Sequence, residues 1–242
     1  MELKDKVVLV TGGSSGIGKA ISIAMVKEGC RVIFTYNSSA KGADETLNHL
    51  GKNGEKFKVD MHSEADIEQL FKYIKEKYGR LDILVNNAGV NKPRGLFNTS
   101  DWKEIFQVDL FSVVYCTGKS VELMVDGGKI LNMTSIYGDG KACWKGIAPY
   151  GAAKAALNHY TQTLSKNLAP KILVNAIAPG YVKTPLWGNK TEAEFEDSGK
   201  EQLIERMIDP SEIALMAVAI TKNDAMTGEV VVVDGGLSLK TI

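Results

Sequence analysis

Seven short runs rich in Val, Ile and Leu recur at residues 6–10, 31–36, 56–59, 82–86, 129–134, 172–178 and 229–233, with helical periodicity between them. Most of these runs are nearly continuous in apolar character, the pattern of a strand buried on both faces. Strands that alternate with helices pair in parallel through right-handed crossovers. The expected architecture is therefore α/β: a doubly wound, seven-stranded parallel sheet with helices on both faces. No linker, repeat or low-complexity tract marks a boundary, so residues 1–242 read as a single domain. In such a sheet the ligand belongs at the carboxyl ends of the strands, where the strand order reverses.

The first strand runs into Thr11-Gly12-Gly13-Ser14-Ser15-Gly16-Ile17-Gly18, and Ile17, Ala20, Ile21, Ala24 and Met25 continue at helical spacing. A glycine-rich turn in that position brings backbone close to a pyrophosphate, and the helix behind it offers free N–H groups and a positive dipole end. A second device lies downstream, where Tyr150 precedes Lys154 by four residues and follows Ser135 by fifteen. Residues four apart share one helix face. A phenol ordinarily titrates near pH about 10, and an adjacent ammonium favours its ionised form, so the pair is expected to exchange a proton near neutrality. Pro149 suits the first turn of that helix, and Asp101 with Glu104 has the spacing of a capping box for an earlier one.

Composition narrows the partners. Lys plus Arg and Asp plus Glu both number 29, so no net charge points to nucleic acid or a membrane surface, and a small molecule is the expected partner. Cys30, Cys116 and Cys143 lack C-x-x-C spacing, and His49, His62 and His159 lack metal-ligand spacing; no metal is expected, and the thiols suit a reducing, cytoplasmic compartment. The amino terminus carries no apolar signal stretch, and no run approaches the ~20 apolar residues of a membrane span.

Together these features resemble the short-chain dehydrogenase/reductase family over essentially the whole chain, with a size and pattern similar to its 3-oxoacyl-acyl-carrier-protein reductase branch. The matching pieces are Thr11 to Gly18, Asp60, Asn86-Asn87-Ala88-Gly89, Ser135, Tyr150, Lys154, Pro179-Gly180 with Thr184, and the closing Thr227-Gly228 and Asp234-Gly235-Gly236. The resemblance implies a Rossmann-like fold, a nicotinamide cofactor and a homo-oligomer, dimeric or tetrameric. It assigns Tyr150 as the acid/base at the carbonyl oxygen, Lys154 to the phenol and the nicotinamide ribose, and Ser135 to the substrate oxygen. For the cofactor it implies Gly12, Ser14, Ser15, Gly16, Ile17 and Gly18 in the turn, Tyr36, Asn37 and Ser38 after the second strand, and Asp60 with Met61. Asn87, Ala88, Gly89, Pro179, Gly180, Val182 and Thr184 complete that set with Tyr150 and Lys154. Plainer roles stay open for Asp60, as a cap on the next helix, and for Asn86, as a partner for backbone groups.

Two departures bear on the chemistry. Asp109 stands where the family usually has an asparagine that completes a catalytic tetrad and supports a water-linked path to the lysine; the aspartate keeps an acceptor oxygen and loses the amide donor. The loop Gly138 to Pro149, with Lys141, Cys143 and Trp144, is longer than is common there, and Trp144 is a candidate for the pocket wall or a subunit contact. Residues 181–207, with Trp187 and Phe195, resemble the family's variable substrate lid.

After the second strand, Thr35-Tyr36-Asn37-Ser38-Ser39 has no carboxylate to repel a 2′-phosphate, and Lys41 lies just beyond, so NADP (NADPH) is expected over NAD. The leading expectation is an NADP(H)-dependent oxidoreductase that reduces a small-molecule carbonyl, a 3-oxoacyl thioester or another small ketone, to an alcohol. An NAD-dependent polyol dehydrogenase and a weakly active nucleotide sensor are the alternatives. A carrier-protein patch has only Lys129, Lys166 and Lys171 to draw on. The small residues after Tyr150 and a final strand reaching 237–242 are candidate contacts between subunits, with internal packing as the alternative.

Overall fold

The computed structural model describes residues 1–91, 96–140 and 142–240. Lys141 and the last two residues of the sequence, named above, lie outside the described residues. The strands are β1 (Val7–Val10), β2 (Arg31–Tyr36), β3 (Gly54–Lys58), β4 (Leu81–Asn86), β5 (Met124–Met133), β6 (Ile172–Pro179) and β7 (Val230–Val233). Between them come α1 (Gly16–Lys27), α2 (Ala40–Leu50), α3 (Glu64–Tyr78), α4 (Thr99–Phe106), α5 (Ser112–Val121), α6 (Ala148–Leu168), α7 (Glu192–Gly199) and α8 (Pro210–Lys222). A π-helical turn, Gln107–Phe111, joins α4 to α5 without a break. All seven strands are parallel, in the order β3-β2-β1-β4-β5-β6-β7. The order reverses between β1 and β4, which opens a crevice at their carboxyl ends.

Strand pleating assigns the core. Val8 and Val10 of β1 join Ile21, Met25, Phe34 and Ile213 on the face covered by α1, α2 and α8. Val7 and Leu9 join Ile67, Ile74 and Cys116 on the face covered by α3 and α5. Period-two side-chain alternation thus feeds two cores from strands that are apolar throughout. A small third cluster, Ile105, Ile147, Tyr150 and Ala153, lies beside the crevice.

The structure corrects three expectations in detail. Asp101 and Glu104 do not frame a capping box: α4 starts earlier, and the Asn98 side chain accepts the Ser100 N–H, which puts Asp101 inside the first turn. Capping boxes occur instead at Thr191/Glu194 and Asp209/Glu212. Residues 237–239 form a 3₁₀ turn rather than a strand, because Gly235 and Gly236 take φ of 59° and 79° and Asp234 accepts the Gly236 and Ser238 N–H groups. Lys129 is buried, its ammonium 2.6 Å from Asp224, so it contributes nothing to a surface patch. After Tyr150 the small residues divide: Ala153 is buried inside the fold, whereas Ala155 is exposed.

Candidate active site

The crevice is a cleft of about 410 Å³ running from the glycine turn to the first turn of α6. At its first end α1 begins with no acidic residue in its first turn and no side-chain cap from Ser15, so its leading N–H groups face the cleft for a ligand to use. Gly12, Ser14, Ser15, Gly16 and Ile17 line this end. Gly18 does not line it; a Cβ there would run into the Gly12 carbonyl and the Asn87 amide, so its place is in the packing that holds the turn. Thr11 braces the same turn against β4, its Oγ1 accepting the Asn87 and Ala88 N–H groups at 2.9 and 3.0 Å. The Asn87 amide donates back to the Thr11 carbonyl at 2.9 Å.

At the end of β2, Tyr36, Asn37, Ser38 and Ser39 line the cleft, while Lys41 lies exposed on α2 and does not. The nearby Lys19 and Lys56 are paired with Glu45 and Asp44. Polar recognition in this corner therefore falls to hydroxyls and an amide. Asp60 and Met61 also line the cleft. The cap of α3 belongs to Ser63, not Asp60; the Asp60 carboxylate accepts from the His62 backbone and ring at 3.0 and 2.9 Å, which lowers its pKa. Asn86 lies beneath the cleft, donating to Asn132 Oδ1 and Thr117 Oγ1 at 2.9 and 3.3 Å, and so ties β4 to β5 and α5.

At the far end, Ser135 follows β5 and Tyr150 falls in the first turn of α6, where Pro149 needs no N–H partner. Ser135, Tyr150, Lys154 and Asp109 all reach the cleft, as do Ala88 and Gly89. The Ser135 side chain accepts the Tyr137 N–H at 3.3 Å and acts to lower the Tyr150 pKa. Lys154 Nζ lies 5.5 Å from the Tyr150 ring centroid, donates to the Met133 carbonyl at 3.1 Å, and stands 3.0 Å from Asp109 Oδ2. The ordinary expectation that Lys154 lowers the phenol pKa holds only for its own contribution. Burial raises the Tyr150 pKa, Lys154 opposes this, and Asp109 adds to the rise, leaving the net shift upward.

Pro179, Gly180, Val182 and Thr184 form the opposite wall. The segment beyond them is fastened at its base: the Ile208 N–H donates to the Tyr181 carbonyl at 2.8 Å, and the Lys183 N–H to the Ile208 carbonyl at 2.9 Å. Trp187 lines the cleft, and the Trp144 ring centre lies 6.2 Å from that of Trp187 and 6.1 Å from that of Tyr181, so the loop before α6 meets the 181–207 segment through aromatic rings. Cys143 is exposed. The sequence reading missed a hydrogen-bonded chain from Tyr137 to Tyr181 to Glu201, with spans of 3.0 and 3.1 Å. It also missed the direct Asp109–Lys154 contact, whose members are too far apart in the chain for any spacing rule to join.

The sheet order, the glycine turn at the crevice and the grouped serine, tyrosine and lysine define a nucleotide-dependent oxidoreductase fold. A family model for short chain dehydrogenases matches residues 6–195, and the chain belongs to that family. It is 34% identical over 249 residues to the 3-oxoacyl-[acyl-carrier-protein] reductase FabG of Aquifex aeolicus, covering 98% of this chain and 99% of the relative. The corresponding FabG of Vibrio cholerae is 33% identical over 245 residues, with the same coverage. Among solved structures, a short-chain dehydrogenase/reductase from Serratia marcescens superposes with a TM-score of 0.91 at 31% identity, covering 98% of this chain and 100% of that one. The Pseudomonas aeruginosa RhlG/NADP active-site complex superposes with a TM-score of 0.89 at 29% identity, covering 98% of both chains. The protein is thus an oxidoreductase of the kind that interconverts carbonyl and alcohol groups. Among the described residues no helix is long and apolar enough to cross a membrane.

Proposed function

We propose that this protein is an NADP(H)-dependent carbonyl reductase in which Tyr150 donates the proton to the substrate oxygen. The observation that carries the reading is the meeting of Ser135, Tyr150 and Lys154 at one end of a cleft whose other end is an unblocked helix N-terminus. The residues fit a dinucleotide. The α1 N–H groups and Ser14 to Ile17 suit its pyrophosphate, and Tyr36, Asn37 and Ser38 its adenosine ribose. The absence of a carboxylate among these last residues favours a 2′-phosphate there, and the RhlG complex, an NADP-bound relative, supports the same choice. When bound, the cofactor supplies the hydride.

The chain's own residues do the rest. Ser135 and the Tyr150 hydroxyl hold the carbonyl oxygen, so the charge that develops on it meets donors already in place. Lys154 holds its ammonium near that oxygen and toward the ribose. Trp187 and the lid exclude water from the reacting carbonyl. The FabG relatives support a 3-oxoacyl thioester or a similar small ketone as substrate.

The test is titration of the purified protein with NADPH and NADH by fluorescence, then oxidation of the tighter-binding cofactor against 3-oxoacyl thioesters, simple ketones and keto sugars. Tight NADPH binding with turnover of a thioester or ketone is the expected result. Binding without turnover of any panel member would defeat the reductase reading.

A further inference from the structure

Asp109 occupies the π-helical turn between α4 and α5, its side chain wholly buried, and both its oxygens point at the reacting end of the cleft. Oδ1 accepts the Val90 N–H at 2.8 Å. Oδ2 lies 3.0 Å from Lys154 Nζ and has no aligned hydrogen-bond partner, so the contact is one of charge. At this distance no water stands between them. A Cβ on Gly89 would lie 3.0 Å from Oδ2 and 3.5 Å from Nζ, which shows how closely the backbone after β4 covers the pair.

The contacts on the two oxygens favour the carboxylate form against its burial. A protonated Oδ2 would turn an O–H toward an ammonium, whereas the ionised group meets an N–H on one oxygen and a cation on the other. Burial pushes the Asp109 pKa up, and Lys154 and the Val90 N–H oppose the rise without cancelling it. For Lys154, burial acts to discharge the ammonium and the Asp109 carboxylate overrides it, so its pKa rises.

We propose that Asp109 is a positioning residue that clamps the Lys154 ammonium directly, so that Lys154 divides its charge between this carboxylate and the Tyr150 oxygen. The inference rests on Tyr150 as the proton donor. A lysine shared in this way pulls less on the phenol proton, and the phenol stays protonated to higher pH. That is the form needed to protonate a carbonyl oxygen, and the opposite of the form needed to oxidise an alcohol. The remaining neighbours of Tyr150 do not supply the charge. α4 packs Ile105 and Phe106 toward it. Tyr137 is held neutral by burial and its bond to Tyr181, its pKa pushed far up. Among the described residues, Glu201 reaches this group only through Tyr181 and Tyr137.

Asp109→Asn keeps the shape and an acceptor for the Val90 N–H while removing the charge. The experiment records kcat/KM against pH for reduction and for the reverse oxidation in both proteins, with NADPH affinity as the check on folding. The alkaline limb of reduction and the acid limb of oxidation should both move to lower pH in the variant, by about one unit. Superimposed limbs would overturn the clamp, whatever happens to the height of the profiles, because a purely structural change scales a rate without moving its ionisation. A second readout needs neither turnover nor the variant. The ¹³C-tyrosine resonance that is missing from Tyr150→Phe should titrate above about 10, the value of free tyrosine. Ionisation near neutrality in the unliganded protein would overturn the proposal. Turnover in Tyr150→Phe itself tests the donor reading, so the two failures are told apart.

Discussion

Burial favours the protonated form of Tyr150, beside an ammonium that a second buried group shares, and its ring belongs to a packed cluster with Ile105, Ile147 and Ala153. Tyr150→Phe keeps that ring and removes only the hydroxyl. Turnover should fall by about 10²–10⁴-fold, the usual worth of a positioned proton donor, while NADPH affinity stays within a few-fold. Single-turnover kinetics with fluorescence titration reads both, and a rate within tenfold of the parent would defeat the assignment. Lys154→Met has a different signature, since it strands the Asp109 carboxylate in the interior. Loss of one member of a buried ion pair costs about 3–5 kcal/mol, so this variant should unfold at lower urea and bind NADPH more weakly. Adding Asp109→Asn should return part of the lost stability, and a double variant no more stable than Lys154→Met would show that the two groups are not coupled. Residue spacing made the Tyr150/Lys154 pair legible because both stand on one helix. The partnership of Lys154 with Asp109 was not legible, since it exists only after α6 has docked beside the π-helical turn.

The distance between Ser135 and α6 is an element-level quantity, and Gly138 sets it. A Cβ at this position would lie 2.5 Å from the Lys154 carbonyl carbon and 2.7 Å from the Ala155 nitrogen, so the segment after β5 rests directly on the helix backbone. Asn158 reinforces the contact, donating to the Gly138 carbonyl at 3.0 Å. Gly138→Ala must push α6 away from Ser135. Overpacking of this kind costs about 1–3 kcal/mol, and a displacement near the chemistry lowers kcat far more than it changes NADPH affinity, by about 10²-fold in rate. Steady-state kinetics beside cofactor titration checks this, and an unchanged kcat would mean that the two elements do not set each other's position. The elements themselves were legible from apolar runs and turn residues to within a few positions. Their ends were less so: Asn98 rather than Asp101 caps α4, because several polar residues in a row offer a cap and only the bound N–H decides between them. Residues 237–239 read as part of the final strand, yet two left-handed glycines turn the chain just before them.

At the scale of the whole molecule, the sheet order follows from right-handed crossovers between parallel strands, which is why the place of the cleft could be read before its shape. What the sequence withheld was how the walls close. Residues from the ends of β1 to β6 and from the 181–207 segment all border one crevice, so a dinucleotide lying in it would join parts of the chain that only the folded state brings together. A ligand of that kind binds the native protein and not the unfolded one, and stabilises it by mass action. At about 100 times its dissociation constant NADPH should contribute about 2.7 kcal/mol. For a chain of this size that corresponds to a rise in Tm of roughly 5–10 °C. NADH at the same concentration should give a smaller rise, because it leaves the hydroxyls and amide of Asn37, Ser38 and Ser39 without a phosphate to bind. Thermal unfolding with each cofactor separates the possibilities. Equal shifts would overturn the preference for NADPH while keeping the cleft as the cofactor site, and no shift with either would remove the cleft from that role, since a ligand spanning six strand ends must raise the temperature at which they part.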